Sequence, residues 1–448
     1  MDMKLIKNGK VLTKDGVKRL DILIEGEAIK QIGENLEVES NCEVIDAQDF
    51  YVTPGGIDVH THFDIDVGII SCDNFYTGGR AAVLGGTTTI IDHPGFGPKG
   101  CSLHHQIDNY LKKATNSPAD YSFHGVVQEL ADVTFEELKQ LKERGISSFK
   151  IYMTYDYKFD DKDILRFFTY AKELDIITCV HAENHEIIQY LREKYGEAGK
   201  GSAPFHALSR PDYTEAEAVN RLILLAETVG YEKLYLVHIS SKEALKVIKQ
   251  YKDMGKKFYT ETCTQYLYLT DSEYLKENGV DYILSPPLRK EEDKLALQNG
   301  MNNGYVDVVA TDHCTFSPEA KAKGKEDFRK CPNGIPGVEE RMTLMLMKCL
   351  ENEISTATFL ETACENPAKI FGVYPKKGLL EIGSDADIVL FKEKEHNFEN
   401  PASEAKYSCY SDIKSTLKVD TVMVRGEILV KGENFVEDSR RGKFIERN

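Results

Sequence analysis

The chain has 448 residues, 41% of them hydrophobic, enough for a large core and too many for one small domain. Seventy-three acidic against 56 basic residues give a formal charge of −17, a field that repels phosphate backbones and anionic membranes, so no nucleic-acid or membrane partner is expected. No apolar run approaches the roughly 20 residues that span a bilayer, the opening MDMKLIKNGKVLT has no continuous apolar h-region, and the ten cysteines contain no C-x-x-C pair. A soluble, cytoplasmic protein with reduced thiols is the expectation.

Near the start, KLIKNGKVL, LDILIEG and AIKQIG are short half-apolar runs split by Asn8-Gly9 and by Gly26. Asn-Gly between such runs is a hairpin signature. DADIVLF (385–391) and VDTVMVRGEILV (419–430) repeat the texture near the end, so residues 1–52 and 378–448 are expected to form one discontinuous β-sandwich domain. Between them, over 53–377, apolar runs of four to eight residues alternate with helical patterns such as TFEELKQLKERG (134–145) and TEAEAVNRLILLAETVG (214–230). There are eight such runs: IDVHTH, TTTIID, YSFHGVV, SFKIYM, IITCVHA, LYLVHIS, KFYTET and VDVVATD. Eight βα units predict an α/β fold of the TIM (β/α)8 barrel class, although a doubly wound open sheet would use the same units. The basic end, Arg440, Arg441, Lys443 and Arg447, reads as a solvated or subunit-contacting tail.

Five of the eight runs carry a metal-ligand type or a lysine within or at the end of the strand: His60 and His62, Lys150, His181, His238 and Asp312. In a barrel those ends converge on one face. Side chains two apart on a strand point the same way, so His60 and His62 can reach one cation, and neutral imidazole suits zinc and related metals. Taken alone, H-x-H fits two hydrogen-bonded histidines better than a metal site; His181 and His238 at equivalent strand ends reverse that order. Lys150 lies among apolar residues in SSFKIYM. An ordinary strand lysine snorkels to the rim. A buried one is easier to deprotonate, and a neutral amine beside metal ions can add CO2 to give a carbamate that bridges two cations. Asp312, which on its own would pass as a turn residue, can bind a metal and carry a proton.

Gly95-Phe96-Gly97-Pro98-Lys99-Gly100 matches G-x-G-x-x-G, and Asp120 sits at a suitable distance, but Pro98 removes an amide where a pyrophosphate needs one. It reads as a βα loop over the site. His93, His124 and His313 read as supporting or pocket residues, and His185 as a neighbour of His181 on the following helix.

The set PGGIDVHTH, SSFKIYMTY, VHAEN, LVHIS, LSPPLR, ATDHCTF and PNGIPGVE resembles the hydantoinase/dihydropyrimidinase family of the amidohydrolase superfamily, most of all its bacterial D-phenylhydantoinase members, nearly end to end. The resemblance implies two divalent metal ions per subunit, zinc in most members. His60, His62 and Asp312 are implied to hold one and His181 and His238 the other, with N6-carboxylated Lys150 bridging. It also implies Tyr155, Ser285 and Asn333 as substrate-binding residues, Tyr155 with Asp312 as the catalytic pair, a small cyclic ureide substrate and a homotetramer. The segment after H-x-H departs from the family: Phe63-Asp64-Ile65-Asp66-Val67-Gly68 stands where many hydantoinases carry an apolar stretch with Pro-Phe. Phe63, Tyr152 and Tyr155 are expected to face the ring substituent, with Asp64 and Asp66 nearby. Dihydroorotases typically carry an arginine shortly after H-x-H, which this chain lacks. Allantoinase stays open, and a metal-free dihydropyrimidinase-related scaffold is disfavoured by the full ligand set.

Overall fold

The computed structural model describes residues 3–38, 42–399, 401–437 and 442–447. The amino-terminal strands are β1 (Met3–Thr13), β2 (Gly16–Glu25), β3 (Ala28–Gly33), β4 (Glu43–Asp46) and β5 (Phe50–Pro54). The barrel strands are β6 (Gly56–Thr61), β7 (Thr87–Asp92), β8 (Asp120–Phe123), β9 (Gly125–Val126), β10 (Ser148–Tyr152), β11 (Ile177–His181), β12 (Leu234–Leu236), β13 (Tyr259–Cys263) and β14 (Val308–Ala310). The carboxy-terminal strands are β15 (Ile388–Asn397), β16 (Lys414–Val424), β17 (Glu427–Lys431) and β18 (Asn434–Phe435).

The eight apolar runs are the eight barrel strands, the third broken into β8 and β9 at His124. Successive strands pair in parallel from β6 to β8 and from β9 to β14. Thr61 bridges His313 in parallel, and the His62 amide donates to the His313 carbonyl at 2.8 Å, which closes the ring from β14 back to β6. Closure excludes the open doubly wound sheet. Every residue of β6 and β7 is buried, as expected of parallel strands covered on both faces. The helix over Asp212–Val229 begins with Asp212 and Glu215 in its first turn, where the macrodipole favours acids, and stops at Gly230 in the left-handed conformation.

Both chain ends build one nine-stranded sheet, in which β5 joins β1 on one side and β15 on the other. Its core of Ile6, Ile22, Ile24, Val52, Ile388 and Leu390 is separate from that of the barrel. Only Gly55 separates β5 from β6, so the sheet hands the chain directly to the strand that carries His60.

Two expectations are corrected here. Asn8-Gly9 is not a hairpin: β1 runs straight through it with a bulge between Ile6 and Gly9, and the turn to β2 lies at Lys14-Asp15. Asn8, at φ +63°, adopts the left-handed conformation that a bulge and a tight turn both need. Nor is the basic end a solvated tail. Phe444 bridges Tyr121 beside β8, and Arg447 is fully buried, donating to Ser122 Oγ and Ser148 Oγ at 2.9 Å each and to the Phe123 carbonyl. Lys443 does stay near solvent, paired with Glu27 at 3.1 Å; Arg440 and Arg441 lie outside the described residues. All ten cysteines are free, and among the described residues no helix is long and apolar enough to cross a membrane.

Candidate active site

His60 lies in β6 with His62 just past its end, Lys150 lies in β10, His181 ends β11, and His238 and Asp312 each lie two residues beyond β12 and β14. All six line one cavity of about 460 Å3, together with Tyr152, Tyr155, Ser285 and Asn333. The six expected ligands and the expected substrate residues Tyr155, Ser285 and Asn333 therefore face the same space. The backbone is left-handed at Tyr155 (φ +73°), His238 (+39°) and Asp312 (+54°), and such strain in non-glycine residues persists only where the surroundings enforce it.

His60, His62 and Asp312 place their ligating atoms within 4.8 Å of one another, with His60 Nε2 and His62 Nε2 at 3.3 and 3.1 Å from Asp312 Oδ1. The His181 and His238 rings lie 4.6 Å apart and the His60 and His238 rings 5.3 Å. Three of the four imidazoles are held through one nitrogen: His60 Nδ1 by Glu261 at 2.6 Å, His62 Nδ1 by the His93 carbonyl at 3.1 Å, and His181 Nε2 by Glu183 at 2.7 Å. Meanwhile His60 Nε2 and His238 Nδ1 are buried without any hydrogen-bond partner. His60, anchored through one nitrogen and orphaned at the other, has the arrangement of a metal ligand, and His238 Nδ1 is orphaned too, so these residues fit divalent cations. Burial pushes the His60 and His238 imidazoles well below their ordinary range, toward the neutral form that ligates a metal, and lowers the Lys150 ammonium from its own. Burial raises the Asp312 carboxyl, but His60 and His62 beside it outweigh that and hold it low.

Asn333 Nδ2 donates to Ser285 Oγ at 3.0 Å, joining the two expected substrate residues. Burial pushes the Tyr155 phenol up to about 12, which keeps it a proton donor at neutral pH.

Phe63 does not face the cavity. It is fully buried, edge-on to Phe75 and His313 at 5.6 and 5.4 Å. Asp64 also turns away, accepting from the Phe75 amide at 3.1 Å. The strand ends at Thr61 and the chain turns at Asp64 (φ +53°), and Ile65, Asp66 and Val67 line the cavity instead, with Phe96. His93, His124 and Cys179 form a deeper cluster, where Ser148 Oγ and the Val59 carbonyl already engage both nitrogens of His124. His313 Nε2 pairs with Asp73 at 3.0 Å and His185 Nδ1 with Thr154 Oγ1 at 3.2 Å, outside the ligand set. In the glycine-rich loop, the Gly95 and Gly97 amides donate to Tyr110 OH and Gln128 Oε1. Asp120 is buried against Lys377.

Sequence reasoning missed Glu183, Glu261 and Arg210. Glu261 accepts from Tyr235 OH at 2.8 Å and the His238 amide at 2.9 Å as well as His60. A glutamate in the middle of a buried strand was the available clue. Residues 51–429 match the family model described as "Amidohydrolase family". The chain belongs to the amidohydrolase family. It is 42% identical to the D-phenylhydantoinase of Escherichia coli O127:H6 over 99% of this chain and 98% of that one. It superposes on the crystal structure of dihydropyrimidinase from Brevibacillus agri NCHU1002 with TM-score 0.95 and 36% identity, covering 99% of this chain and 98% of that one. The L-hydantoinase (dihydropyrimidinase) from Arthrobacter aurescens gives TM-score 0.91 and 28% identity over the whole of both chains. This amidohydrolase is thus a cyclic amide hydrolase of the hydantoinase/dihydropyrimidinase type, the family expected from its motifs, on the expected barrel with its terminal β domain.

Proposed function

We propose that this amidohydrolase opens 5-monosubstituted hydantoins, aryl ones included, and dihydropyrimidines to N-carbamoyl amino acids. The observation that carries the reading is the cavity wall. Around the six donors stand Ile65, Val67, Phe96 and Tyr152, while the other acidic lining residues are Asp66 and Asp156 and no arginine is among the described lining residues. Such a wall suits a neutral ring with an apolar substituent and repels a carboxylate.

In this reading His60, His62 and Asp312 would hold one divalent cation and His181 and His238 a second, with carboxylated Lys150 as a further ligand. Imidazole and carboxylate donors suit zinc. When bound, such cations lower the pKa of water and polarise an amide carbonyl. Ser285 and Asn333 hold the ring through its second amide. Tyr155 donates its hydroxyl hydrogen to the carbonyl oxygen as that oxygen gains charge in the tetrahedral state. Asp312 accepts the proton of the attacking water and delivers it to the departing ring nitrogen, so that water adds across the C–N bond. The subunit is read as part of a homotetramer and the compartment as the cytoplasm, both by likeness to the family.

Comparing kcat/KM for phenylhydantoin, dihydrouracil, allantoin and dihydroorotate tests the substrate. A hydantoin or dihydrouracil is expected first and dihydroorotate last. Dihydroorotate first overturns the reading, and allantoin first replaces it with an allantoinase.

A further inference from the structure

Lys321 sits on the five-residue helix Pro318–Ala322, capped by Ser317, and is fully buried. An ammonium has three N–H donors and no acceptor. Three backbone carbonyls take them: Ile283 at 2.7 Å, Gly334 at 2.8 Å and Pro332 at 3.0 Å. Three acceptors require three donors, so the geometry calls for the charged form. Pro332 and Gly334 flank Asn333, and Ile283 stands two residues before Ser285. The Gly334 amide also donates to the Ile283 carbonyl at 3.0 Å, and Asn333 Nδ2 to Ser285 Oγ at 3.0 Å. One buried ammonium thus ties together the two segments that bring Ser285 and Asn333 to the cavity, both of them outside any strand or helix.

A stability role alone explains this poorly. Taking an ammonium out of water is costly, and the three groups that receive this one are neutral carbonyls. The need for a fixed site explains it better. Irregular backbone has no ladder of its own to set its position, and a single bond from Gly334 to Ile283 would let the two segments pivot. Carbonyls held on both sides of Asn333 fix the two peptide planes between which its side chain is mounted. Groups that hold a substrate need their geometry kept to within about 0.5 Å. The residue type fits the task, since an ammonium directs three donors to three diverging acceptors, whereas a guanidinium presents a planar fork.

We propose that Lys321 is a positioning residue for substrate binding, holding Asn333 in register with Ser285. The proposal rests on the reading of Asn333 as a substrate contact, and the test separates the two. Lys321→Met, Lys321→Gln, Asn333→Ala and the two double variants are assayed on phenylhydantoin or dihydrouracil, whichever turns over faster, with the metal content of each protein measured. Methionine keeps the length and loses every donor, whereas glutamine keeps two N–H donors. The Ile283 carbonyl retains the Gly334 amide when the lysine goes, so the loss falls on the carbonyls beside Asn333. Lys321→Met is expected to raise KM about tenfold, the order of one well-placed hydrogen bond. Its kcat should stay within about threefold and its metal content unchanged, because lost ground-state binding moves KM and leaves the chemistry. Lys321→Gln should recover part of the loss. In the Asn333→Ala background either change should move KM less than about threefold, within the scatter of independent effects. A lysine that served stability alone would lower the melting temperature and leave KM where it was. A parental KM in Lys321→Met, a fall in kcat alone, missing metal, or an equal rise of KM in both backgrounds overturns the inference while leaving the role of Asn333 intact. A parental KM in Asn333→Ala overturns that role, and this inference with it. Should Lys321→Met not fold, Lys321→Gln reads the same split and the same coupling.

Discussion

Lysine 150 shows how an ordinary residue acquires a special role from its surroundings. It is only 2% exposed, and it lines the cavity with four imidazoles and Asp312. A lysine snorkelling at a rim keeps its charge in water and contributes little; this one is desolvated, and burial favours the neutral amine that can add CO2. Lys150→Ala is therefore expected to lose at least about 100-fold in turnover, the range set by general catalytic groups, together with part of its bound metal. Turnover and elemental content near the parent values would refute the carbamate. The residues that were legible in the sequence share one property: each is a polar group at the end of an apolar strand. Glu261 was not legible because its meaning lies in a contact made across the fold, with His60 over 201 positions; Glu183, two residues from His181, was within reach of the sequence and passed over.

At the scale of elements, the terminal sheet is clasped to the barrel by a buried charge cluster. Lys377 Nζ lies 2.6 Å from Asp120 at the start of β8 and 2.8 Å from Asp387 just before β15, and Arg425 also pairs with Asp120. Neither carboxylate can reach water, so Lys377→Met leaves a deficit of positive charge that packing cannot repair. Removing one partner of a buried ion pair typically costs about 3–5 kcal/mol, and the unfolding midpoint in denaturant should fall accordingly. A cost below about 1 kcal/mol would mean that the cluster is solvated. The alternation of strands and helices was readable because each βα unit is local in sequence. The Asn8-Gly9 bulge and the buried Arg447 were not. A left-handed asparagine serves a bulge as well as a turn, and the partners of Arg447, Ser122 and Ser148, lie 325 and 299 positions away.

Across the whole molecule, the site is carried by a fold that does not depend on it. The barrel core extends through all eight strands and their helices, whereas the proposed metal positions touch only its upper rim. Small zinc domains unfold without their ion because binding supplies their folding energy; here the core supplies it. Removing cations should nevertheless be felt, since it leaves His60 Nε2 and His238 Nδ1 buried without partners, and a ligand that binds only the native state stabilises it by mass action. Chelator-treated protein is expected to keep its secondary structure, lose turnover and melt at a lower temperature. Zinc added back should restore both properties along one curve that saturates at two equivalents per chain, because six donors are too many for one tetrahedral ion. Saturation of activity at one equivalent would leave half of the donor set unexplained and overturn the two-metal reading. Loss of secondary structure on chelation would show instead that the metals are needed for folding.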